Sequence, residues 1–113
     1  MAYDREFGGL GDSMAEGRRL AEVMADHRVM LMGNHGVMVA GQTVAEAFES
    51  MYYFEKAAQT LLLAYGSGQP LSILDDQLAA KVVKATKQFA GMAPAHLAQR
   101  MEMLDAVDPG YRD

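Results

Sequence analysis

The stretch "LMGNHGVMVA", Leu31 to Ala40, places one histidine between two glycines and two runs of β-favouring apolar residues. An imidazole on such a turn can ligate a divalent cation, carry a proton, or simply meet solvent where a hairpin reverses. His35 is one of three histidines, and the chain has no cysteine. Any metal would therefore sit on His, Asp or Glu. From spacing alone, a lone histidine in a hairpin turn is most often a structural or solvated residue. Glu55 also stands out, because it falls on an apolar helical face. A carboxylate there would be catalytic or, more commonly, paired with a cation or with backbone donors. Tyr52 and Tyr53 could line a substrate site or an interface, although aromatics on a long helix usually pack in a core.

These side chains must be positioned by elements whose signals change period along the sequence. Residues 1–11, "MAYDREFGGLG", are glycine-rich, charged and aperiodic, and read as an extended arm or loop. Asp12 or Ser13 can cap a first helix fading near Asp26, Ser13 with Glu16 as a capping box, and Met14, Leu20, Val23 and Met24 supply its apolar face. "RVMLM" and "VMVA" read as two short strands joined by the His35 turn. Thr43 and Glu46 form a second capping box. No glycine or proline follows until Gly66, so one long helix is expected, apolar enough to be buried on more than one side. "GSGQP" ends it. A third helix is expected from Asp75 and Asp76 to Gly91, with Leu78, Val82, Ala85 and Phe89 on one face, and a last helix has Pro94 in its first turn.

Taken together, "LMGNHGVMVAGQTVAEAFESMYYFEKAAQ" closely resembles the C-terminal half of the class II aldolase/adducin domain, in which a strand, an Asn-His-Gly turn, a second strand and a long helix follow in that order. The match covers roughly residues 3–70. The resemblance implies an α/β/α fold, often in fourfold-symmetric tetramers with sites near subunit interfaces. It also implies zinc-dependent cleavage or epimerisation of sugar phosphates in the family's enzymes, and the same fold without that chemistry in adducin-like members. His35 matches the family's last metal-ligand histidine. The other two ligands, a His-x-His pair, and a glutamate base lie upstream in the family and have no counterpart in this sequence; His27 and His96 have neither that spacing nor that setting. Glu55 matches a helix glutamate of the family, which favours a structural role.

The expectation is thus an α/β chain, residues 1–113, forming one incomplete domain: an arm (1–11), a family-matching core (12–70) and C-terminal helices (71–113), with short antiparallel strands and three to four helices. Zinc would belong to the complete domain and not to this chain alone. The partners expected are a second copy, or another chain completing the sheet, and a small-molecule substrate for a full-length form. A net charge of -5 with scattered Lys and Arg argues against nucleic acid. No apolar run approaches the roughly 20 residues of a membrane span, and no signal peptide is evident, so a cytoplasmic protein is expected.

Overall fold

Segments 2–4 and 29–32 alternate in side-chain direction, and that alternation decides what the first half of the chain buries. The computed structural model describes every residue except Phe7, Leu10, Lys87, Gln88, Ala90 and Asp113. Strand β1 (Ala2–Asp4) runs parallel to β2 (Val29–Met32), which pairs antiparallel with β3 (Gly36–Val39), giving a mixed sheet in the order β1-β2-β3. The register sets Ala2 opposite Met30 and Asp4 opposite Met32. Helix α1 (Met14–Met24) packs on β1. Its Leu20, Val23 and Met24 recur at helical spacing and close over Ala2, Met30 and Met32. Met30, at the middle of the central strand, is fully buried.

The arm expected at residues 1–11 therefore begins as a strand, and the sheet is not purely antiparallel. A three-residue strand carries too little pattern to stand out beside a glycine-rich run, and parallel pairing with β2 is a long-range event. Both capping boxes are recognisable. Ser13 Oγ accepts from the Glu16 amide at 3.1 Å, and Thr43 Oγ1 accepts from the Glu46 amide at 3.2 Å. The reciprocal bond differs, since the Glu46 carboxylate reaches the Gln42 amide while that of Glu16 turns to Arg19. Gly41 lies where β3 meets the next helix. A Cβ there would stand 2.7 Å from the Ala47 amide nitrogen.

Helix α2 (Val44–Gly66) has the expected length, but none of its residues is buried. Its wide apolar surface needs a covering layer on each side, which the described residues do not supply. The backbone contacts divide the chain inside this helix into two units, Met1–Ser50 and Met51–Asp113. In the second unit, α3 (Asp76–Thr86) starts after Asp75, whose carboxylate accepts from the Leu78 amide at 2.7 Å. The expected continuation to Gly91 falls partly on Lys87, Gln88 and Ala90, outside the described residues. Helix α4 (Met92–Asp105) carries Pro94 in its first turn, where a missing amide hydrogen costs no helical bond. A 3-10 turn (Pro109–Arg112) returns Tyr111 and Arg112 to the Asp105 carboxylate, and the Arg112 guanidinium holds that carboxyl below its ordinary range. Among the described residues no helix is long and apolar enough to cross a membrane.

Candidate functional site

Gly33, Asn34 and His35 connect β2 to β3, and the turn closes with the His35 amide donating to the Met32 carbonyl at 3.3 Å. Asn34 takes the left-handed conformation (φ 57°), which a short polar side chain tolerates better than most, and Gly36 has φ 149°. The result is an exposed imidazole at the tip of a hairpin. It borders a pocket of about 200 Å³ lined also by Asp4, Glu6, Glu16, Arg19 and Met38.

The polar wall of that pocket is an ion network spanning two elements. Arg19 Nη1 and Nη2 donate to the two Asp4 carboxylate oxygens at 2.8 and 2.7 Å. Its Nε and Nη2 donate to Glu16 Oε2 and Oε1 at 2.8 and 2.7 Å. One guanidinium thus serves two carboxylates, each with paired bonds, a geometry that lysine cannot reproduce. Asp4 is buried, 6 % exposed, and also accepts from the Glu6 amide. Hydrogen bonding to Arg19 holds the carboxyls of Asp4 and Glu16 below their ordinary values against the opposing effect of desolvation. The carboxylates in turn raise the pKa of Arg19, hydrogen bonding to Glu16 being the largest cause. Sequence reasoning missed this network. Glu16 and Arg19 stand three apart on a helix, but nothing local links Arg19 to Asp4 fifteen residues before it.

The other candidates lie elsewhere. His27 is exposed, its Nδ1 3.3 Å from the Met1 amino group. Glu55, expected on a buried face, is exposed and accepts from Gln59 Nε2 at 2.9 Å, one turn along the same helix. Its spacing matches the apolar stripe, but the stripe residues around it, Met51 and Ala58, are only half-buried. Tyr52, Tyr53 and His96 do come together in the second unit. The His96 ring stands edge-on to Tyr52 at 4.7 Å, and Arg100 joins them, donating to Tyr52 Oη at 2.8 Å and to His96 Nε2 at 3.3 Å.

A metal requires several donors converging on one point, and catalytic zinc commonly takes three from protein. Among the described residues no group of three or more His, Asp or Glu side chains could hold a metal ion. Of the carboxylates that line the pocket with His35, those of Asp4 and Glu16 are already engaged by Arg19. Among the described residues, then, no complete zinc site is assembled.

Comparison with known proteins follows the same segment. The sequence profile of the class II aldolase and adducin N-terminal domain matches residues 3–62, which include most of β1, the His35 turn and most of α2. An adducin-related protein of Schizosaccharomyces pombe is 29% identical over 95% of this chain and 36% of its own length. A putative aldolase class 2 protein of Caulobacter vibrioides is 24% identical over 100% of this chain and 44% of its own. The decarboxylase NovR of Streptomyces niveus is 28% identical over 76% of this chain and 30% of its own. The chain thus spans less than half the length of these relatives. No solved structure gives a significant match.

Proposed function

The chain belongs to the class II aldolase and adducin family, and from that premise we propose that it forms the turn-bearing portion of a metal-dependent lyase or epimerase domain, with His35 as one of the metal's ligands. The observation that carries this reading is an exposed histidine at a hairpin tip, bordering a pocket that Asp4, Glu16 and Arg19 also line. In this reading the imidazole joins a cation whose remaining ligands come from outside these residues. Zinc held in this way would polarise a carbonyl oxygen of a hydroxylated small molecule. Alone, the chain is not catalytic. In a longer form carrying two further imidazoles, His35→Ala should remove both bound zinc and turnover while leaving the melting temperature within a few degrees. Retention of about one zinc per chain by that variant would refute the ligand role.

A second reading is favoured by a different observation. Tyr53, Ala57, Leu61, Ala64, Leu71 and Ile73 line an open apolar groove along the second half of α2, and the neighbouring Leu62 and Leu63 are 72% and 78% exposed. Apolar surface gathered in this way favours self-association, as an adducin-like interaction module would require. Metal binding by the longer form separates the two readings.

A further inference from the structure

The Arg19 network reaches the His35 turn through the backbone. Asp4 ends β1, and its carbonyl oxygen accepts the Gly33 amide hydrogen at 2.7 Å. Gly33 is the first residue of the turn, two before His35. A Cβ at Gly33 would lie 3.4 Å from the Asp4 carbonyl oxygen and 3.5 Å from that of Arg5. The side chain of Asp4 is held on its other side by the paired bonds from Arg19, which is anchored in α1 and by Glu16. The sequence of contacts is therefore Arg19 to the Asp4 carboxylate, the Asp4 carbonyl to the Gly33 amide, and Gly33 to the imidazole-bearing turn.

We propose that Arg19 is a positioning residue for His35, fixing the entry to the turn through Asp4. A guanidinium that only joined α1 to the sheet would stabilise all of β2 and β3 alike. This relay instead acts first on one hydrogen bond at one end of the hairpin. The inference rests on the reading of His35 as a ligand for its functional meaning, but its physical content concerns the turn.

Hydrogen exchange of the folded chain, followed amide by amide by NMR, tests it without metal. Arg19→Gln should speed exchange at Gly33 by about tenfold relative to the amides of the β2–β3 ladder, as expected for a local opening, and should broaden or shift the His35 ring resonances. Asp4→Asn keeps the carbonyl acceptor but loses the charged pair with Arg19, and should give the same local effect; it also serves if Arg19→Gln does not fold. Glu16→Gln leaves the Asp4 pair intact and should change Gly33 by less than about twofold. Equal acceleration across the ladder, no change at Gly33, or an effect of Glu16→Gln as large as that of Arg19→Gln would overturn the relay. Failure of the ligand reading is distinguishable, because it appears as zinc retained by His35→Ala in the longer form while the Gly33 effect persists.

Discussion

At the scale of single residues, one arginine does most of the electrostatic organisation in the first unit. Asp4 and Glu16 have folded-state pKa values below the usual ones because Arg19 hydrogen-bonds their ionised forms. Their contribution to stability is therefore complete above the unfolded values, near 4, and is lost as pH falls through the lower folded values. The melting temperature should drop steeply below about pH 4, and Asp4→Asn should flatten that acid limb; an unchanged slope in a thermal titration from pH 6 to pH 2 would contradict this. Glu55 leads to the opposite expectation. It is exposed and bonded to Gln59, so Glu55→Gln should change stability by no more than about 0.5 kcal/mol in urea unfolding. A loss of several kcal/mol would restore a buried, paired role.

At the scale of elements, local chemistry sets the boundaries and long-range packing sets the rest. Thr43 caps α2 through the Glu46 amide, and Thr43→Ala should cost about 1 kcal/mol, read from the midpoint of denaturant unfolding. Ala25, which follows α1, holds φ 44° and ψ -128° in a turn closed by the His27 amide bonding to the Met24 carbonyl. That backbone suits glycine, so Ala25→Gly should stabilise by about 0.5–1 kcal/mol in the same assay. The caps, the glycine-flanked hairpin and the long helix were legible because each is written in neighbouring residues. Two features were not. The parallel pairing of β1 joins residues 28 apart with no turn between them, and the Asp4–Arg19 pair depends on that pairing to bring the arm under α1. Burial of α2 was overread, since periodicity shows which face is apolar but not whether another layer covers it. The ligand role proposed for His35 comes from the family resemblance and not from its spacing.

At the scale of the whole molecule, the exposed apolar groove beside Leu62 and Leu63 and the edge strands β1 and β3 favour association. Light scattering at micromolar concentration should show a dimer or larger species, and Leu62→Glu should shift it towards monomer; a monodisperse monomer before substitution would remove the basis for the interaction reading. Metal binding bears more directly on the central claim, that His35 is one ligand of a site this chain does not complete by itself. Equilibrium dialysis of the chain alone against micromolar zinc, followed by elemental analysis, measures it. The account predicts far less than one zinc per chain, with no difference between the native sequence and His35→Ala, whereas about one zinc per chain that disappears in His35→Ala would contradict it.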